Sequence, residues 1–133
     1  VGKVARYTNT EIEDLLAKYP EVRRSVRVCS ETKKLVAKSV LTGCHYLFAK
    51  KDESAADQFV QQLISGSGII EGDPVYVLRE RILQNSLAKA KLSGDYLMAI
   101  IIKAWNHKRA GNNVRYLRYR EEGEKPEAFP VVA

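Results

Sequence analysis

The chain has 133 residues, the size of one ordinary domain, and 45% are hydrophobic types, enough for a core without disulfide or metal staples. Its longest apolar stretch, Leu97 to Ile102, is six residues, far short of the ~18–20 that a membrane span needs. A membrane protein, a disulfide miniprotein and a disordered tail are therefore excluded. The net charge is +6 and uneven: residues 1–51 carry 11 basic and 5 acidic groups, 52–102 carry 4 and 7, and 103–133 carry 7 and 4. Such an excess draws a domain to nucleic acid or acidic partners, and it is also within the range that keeps small domains soluble. The chain starts at Val1 with no signal-peptide pattern, which suggests a processed product or a piece of a longer protein.

Thr8 and Glu11 have capping-box spacing and open a first helix, with Ile12, Leu15, Leu16 and Tyr19 as its apolar stripe. Pro20 stops it and starts a short helix over 20–29, with Val22, Val26 and Cys29 on one side and Arg23, Arg24 and Arg27 on another. Residues 30–36 fit either more helix or a loop. The stretch 35–51 places Leu41, Cys44, His45, Leu47 and Phe48 in the core. Gly43 inside it costs about 1 kcal/mol of helix propensity and would permit close packing. A break at Asp52-Glu53-Ser54 opens a helix with Phe59, Val60, Leu63 and Ile64 on its apolar face. The glycine-rich stretch 65–73 follows. Asp73-Pro74 then pairs a cap with a first-turn proline, and Val75, Leu78, Ile82 and Leu83 continue to about Asn85. Ser93 or Asp95 caps a last long helix carrying Leu97, Met98, Ile101, Ile102 and Trp105, and Gly111 ends it. Val114 to Arg120 alternates and fits a short strand that has no visible partner. The predicted fold is all-α: a compact bundle of five to seven helices over 1–120, with a short extended C-terminal segment and an irregular or docked tail over 121–133.

Few constellations carry chemistry. His45 and His107 lie far apart, and neither has a ligand at helical spacing, so no metal site and no cofactor is expected. Cys29 and Cys44 form no CxxC pair and read as buried, inert hydrophobes, as in a reducing cytoplasm. The loop glycines follow a helix and lack the phosphate-loop lysine. Glu53 and Asp57 read as solvated like charges, and Glu121, Glu122 and Glu124 as an acidic surface patch. No nucleophile with a base and an orienting group is legible, so no catalytic residue is assigned.

The strongest functional signal is Lys103 to Arg120. It holds Lys103, Lys108, Arg109, Arg115, Arg118 and Arg120, no acidic residue, and the interleaved rings of Trp105, Tyr116 and Tyr119. Cations bind phosphates and rings stack on bases, provided the rings are exposed. In extended chain, Arg118 and Arg120 share one face and Leu117 and Tyr119 the other. Arg23, Arg24 and Arg27 are a secondary basic cluster, read either as a recognition helix or as a solvated face.

Several blocks resemble the C-terminal half of phage and prophage proteins with a ParB-like N-terminal domain. They are YTNTEI (7–12), ADQFVQQL (56–63), GDPVYVLRERIL (72–83), IIIKAWNHKRAG (100–111) and VRYLRYREEG (114–123), followed by Phe129-Pro130. The resemblance implies a bacterial or viral, cytoplasmic protein whose ParB-like nucleotide or DNA handling belongs to an N-terminal domain marked by a DGQHR-type motif. That motif is absent here, so Val1 would be an interior residue. After the block at Ile102 to Asn106 the family tends to a small residue and an aromatic, where this chain has His107 and Lys108. Two readings follow: a non-catalytic helical accessory domain that contributes to DNA binding, or an interaction or dimerisation domain. The second would serve the protein's own N-terminal domain or a second copy, through an apolar patch supplied by Val75, Val77, Leu78 and Ile82.

Overall fold

A computed structural model describes residues 20–30, 36–87, 93–121 and 125–133. The helix expected from Thr8 to Tyr19 lies outside the described residues, as do Glu122 and Glu124. Among the described residues there are five helices and no strand: α1 (Pro20–Val28), α2 (Lys38–Ala49), α3 (Glu53–Ser65), α4 (Pro74–Leu87) and α5 (Gly94–Ala110). Successive helices from α1 to α4 pack on one another, α4 packs on α5, and α5 returns to α2. The result is a closed ring of α2, α3, α4 and α5, with α1 laid against α2. None of the described helices is long and apolar enough to cross a membrane.

Local chemistry sets the helix ends. The Asp52 carboxylate accepts from Ala55 N at 3.0 Å to start α3, Asp73 from Val75 N at 2.9 Å to start α4, and the Ser93 hydroxyl from Tyr96 N at 3.0 Å to start α5. At the far ends, Gly66 (φ 74°) and Gly111 (φ 75°) adopt the left-handed turn that closes α3 and α5. Arg79 of α4 donates its Nε–H to Leu63 O at 3.1 Å, satisfying a carbonyl in the last turn of α3.

An aromatic cluster from three helices fills the centre. Trp105 of α5 lies flat on Phe48 of α2, with ring centroids 4.4 Å apart, and Phe59 of α3 stands edge-on to both at 5.8 and 5.4 Å. Leu41, Cys44, Val60, Leu63, Leu78, Ile100 and Ile101 close around it, all fully buried. Both cysteines are free and buried; burial pushes the Cys29 thiol up to about 11 and the Cys44 thiol higher still. The expected face of α1 differs at one position. Val22 and Cys29 point inward, but Val26 is 37% exposed and Ser25 occupies the buried site between them.

Beyond Gly111 the chain turns back over α5 as an extension that, among the described residues, has no helix or strand. Val114 N donates to Gly72 O at 2.9 Å, and Leu117 is buried. Tyr119 packs edge-on against Tyr96 and Phe129. The end is held by α5 itself. Trp105 Nε1–H donates to Ala133 O at 3.0 Å, and the Asn106 amide donates to Val131 O and accepts from Ala133 N, each at 2.8 Å.

Gly43 corrects one expectation: a Cβ placed there meets nothing within 4 Å, so no close packing requires a glycine. Gly43→Ala is therefore expected to raise stability by about 0.4–1 kcal/mol, read as a higher urea midpoint at unchanged slope. Trp105→Ala should lower it by roughly 3–5 kcal/mol, since it empties the middle of the cluster.

Candidate functional site

Helix α5 and the extension carry the basic run, and the fold sorts its members. Trp105 is 1% exposed and stacked on Phe48, so the stacking role expected of it is corrected: its ring faces the core, not a base. The cations of α5 are held by carboxylates. Lys108 Nζ meets Asp73 Oδ2 at 2.6 Å, Arg109 Nη1 meets Asp52 Oδ2 at 3.0 Å, and Lys103 bonds Glu127 and the Arg118 carbonyl. Asp52 and Asp73 each cap a helix with one oxygen and take a cation of α5 with the other. Hydrogen bonds from Ala55 N and Arg109 hold the Asp52 carboxyl below its usual range, and Lys103 does the same for Glu127.

The extension presents the rest. Arg115, Arg118 and Arg120 are exposed, while Leu117 is buried and Tyr119 half-buried, so the alternation expected of extended chain holds without a partner strand. Tyr116 is 62% exposed, with the Arg118 guanidinium 4.7 Å from its ring centroid. Among the described residues, Arg115 and Arg118 form no ion pair. Arg120 lies beside Glu127, whose carboxylate accepts from its backbone N–H at 3.1 Å. Between the extension and α4 runs a groove of about 480 Å³ lined by Tyr76, Glu80, Arg81, Gln84, Arg115 and Tyr116, among others.

The secondary cluster divides too. Arg23 and Arg27 are exposed, but the half-buried Arg24 reaches across to α3. Its Nη1 donates to Asp57 Oδ1 at 2.8 Å, its Nη2 to Asp57 Oδ2, and its Nε lies 3.2 Å from Glu53. Nor do Val75, Val77, Leu78 and Ile82 make an apolar patch. The first, third and fourth are buried and Val77 packs against the core.

One constellation escaped the sequence reading. His45 of α2 is fully buried, with Nδ1 2.7 Å from Ser25 Oγ of α1 and Nε2 2.8 Å from Asp57 Oδ1 of α3. Asp57, read from sequence as a solvated charge, is instead shared by Arg24 and His45, and their hydrogen bonds hold its carboxyl below the usual range, Arg24 most of all. An ionised Asp57 only accepts, so Nε2–H donates to it, and a neutral ring then accepts the Ser25 hydroxyl proton at Nδ1. Serine, histidine and aspartate in that order can activate a nucleophile. Here the Ser25 side chain is 1% exposed beneath a cleft of about 220 Å³, and its hydroxyl is committed inward. The arrangement gives both buried groups, Ser25 and His45, a hydrogen-bond partner while bracketing α1, α2 and α3. Among the described residues, no group of three or more His, Cys, Asp or Glu gathers as a metal ion would need.

Comparison with family models, curated proteins and solved structures finds no match to this chain.

The depressed carboxyls fix a direction with pH. Asp57, Asp52 and Glu127 bind protons less readily folded than unfolded, so their stabilisation is complete above the ordinary values near 3.8 and 4.5. It is lost as pH falls through the lower folded values. Urea midpoints should therefore drop as pH is taken below about 4, and Asp57→Asn should be less stable at neutral pH and show a shallower acid decline.

Proposed function

We propose that the chain is a non-catalytic helical accessory domain of a phage or prophage ParB-like protein, and that its C-terminal extension contributes to DNA binding. The observation that carries this reading is the exposed row Arg115, Arg118 and Arg120 beside the exposed Tyr116 ring, on a segment pinned to α5. Pinning matters because a fixed row loses less conformational freedom on binding than a loose tail would. The contact is mainly electrostatic: each guanidinium displaces a counterion from a phosphate, so affinity falls steeply with salt. Lys103, Lys108 and Arg109, which the sequence also offers for this role, act instead by holding the platform together. The family assignment is supported by the sequence blocks.

The test is binding of labelled DNA across a salt series. Replacing both Arg115 and Arg118 by alanine should weaken binding for all sequences alike. The slope of log affinity against log salt should become shallower by roughly 0.7–0.9 per arginine removed. Equal affinity of wild type and double variant at every salt concentration would sink the assignment. Lys108→Ala should instead cost stability before it costs affinity.

A further inference from the structure

We propose that the groove between α4 and the extension accepts an unpaired base, so that this chain holds single-stranded in preference to duplex nucleic acid. The proposal rests on the nucleic-acid reading above and narrows it to a ligand class.

Duplex readout commonly inserts a helix into the major groove. The two basic helices here are poorly equipped for that. The cations of α5 at 103, 108 and 109 are engaged by Glu127, Asp73 and Asp52, and on the nine-residue α1 the middle arginine is turned onto Asp57. Apart from Arg23 and Arg27 on that short helix, what remains open is a thin ribbon that carries Arg115, Arg118 and Arg120. Such a ribbon tracks a single sugar-phosphate backbone.

The groove beside that ribbon supplies what a base needs. Its volume of about 480 Å³ is within the roughly 300–1,000 Å³ usual for small-ligand sites. The Tyr116 ring lines it, is 62% exposed, and carries the Arg118 guanidinium, so a base stacked on Tyr116 joins an existing cation–ring pair. The α4 wall offers the Gln84 amide as donor and acceptor, the Glu80 carboxylate as acceptor, and the Tyr76 side chain. Arg81 is fixed there by bonds to Asn85 Oδ1 at 2.9 Å and the Tyr96 hydroxyl at 3.3 Å. These groups suit the edges that a duplex hides in pairing. Charge is consistent with a base seated there. The groove lining is balanced, Glu71 and Glu80 against Arg81 and Arg115, whereas Arg118 and Arg120 stand outside it on the exposed ribbon, so phosphate is drawn to the ribbon and the base points in.

The experiment is fluorescence anisotropy on the whole chain with three labelled probes of one mixed sequence: a DNA strand of about 12 nucleotides, its RNA counterpart, and the DNA duplex, each from about 50 mM salt upward. Tighter binding of either strand than of the duplex supports the proposal. So does a loss of about tenfold or more in strand affinity for Tyr116→Ala, with Tyr116→Phe retaining it. Tyr116 is exposed, so both variants should keep the wild-type helical signal. Duplex binding as tight as strand binding, or no effect of Tyr116→Ala, overturns this proposal; if Arg115→Ala with Arg118→Ala still weakens binding, the broader reading survives. Absence of binding to all three probes overturns both.

Discussion

Burial of Trp105 is the constraint from which the arrangement of α5 follows. A ring that large, sandwiched on Phe48 and edged by Phe59, fixes both the rotation of α5 about its axis and its height against α2 and α3. Once that is fixed, the side chains around it have little choice. Asn106 and the indole N–H face the returning end of the chain and hold it. Lys108 and Arg109, in the last turn of α5, arrive beside the first turns of α4 and α3. A cation near a helix C-terminus and a carboxylate near an N-terminus are each favoured by the helix dipole. The pairs Lys108–Asp73 and Arg109–Asp52 satisfy three helix ends with two contacts.

That economy changes the meaning of the basic run. Counted along the sequence, six cations and three rings form one nucleic-acid signal. In space the set splits into a structural half on α5 and an exposed half on the extension. The structural half matters indirectly, because Lys103 bonds the Arg118 carbonyl and so sets the backbone from which the Arg118 and Arg120 side chains project. The relation is one of platform and ribbon: the helix positions the segment to which the proposed nucleic-acid contact is assigned.

How much of this was legible in the sequence depends on range. Caps at Asp52, Asp73 and Ser93 and terminal glycines at 66 and 111 are local chemistry within about four residues; Asp73 and Gly111 appear where the sequence places them, Asp52 caps at the expected break, and of the two candidates Ser93 and Asp95 it is Ser93 that caps. The apolar faces of α2 and α3 follow from spacing, whereas on α5 Ile100 and Ala104 are fully buried and Leu97 and Met98, expected on that face, are only partly covered. Ser25, His45 and Asp57 were not legible as a group, because their meeting depends on three helices packing at particular angles. Asp57 looked solvated since its only near neighbour in the helix pattern was Glu53, and Arg24 is 33 positions away. Val26 looked buried because it continues an apolar spacing from Val22. Ser25 takes the site since His45 offers it a partner there and the packing of α1 on α2 prefers that rotation. The signal that could have found it is a polar residue flanked by arginines on a helix whose only other inward groups are Val22 and Cys29.

The two polar constructions differ in what they ask of the solvent. In the bracket at His45 both ring nitrogens have protein partners, Ser25 and Asp57, so its contribution is specificity of packing among α1, α2 and α3. The row on the extension is the reverse. Arg115 and Arg118 remain hydrated, and the Tyr116 ring is kept from the core by the burial of Leu117 next to it. A folded chain has an apolar alternative for an exposed ring in most places, since Tyr119 three positions on does pack, against Tyr96 and Phe129. The contrast between two tyrosines on one short segment is therefore informative. Tyr119 ties the ribbon down, and Tyr116 is left at the edge of the groove with a cation on its ring, which is where the strand proposed as ligand would meet the least competition from the protein itself.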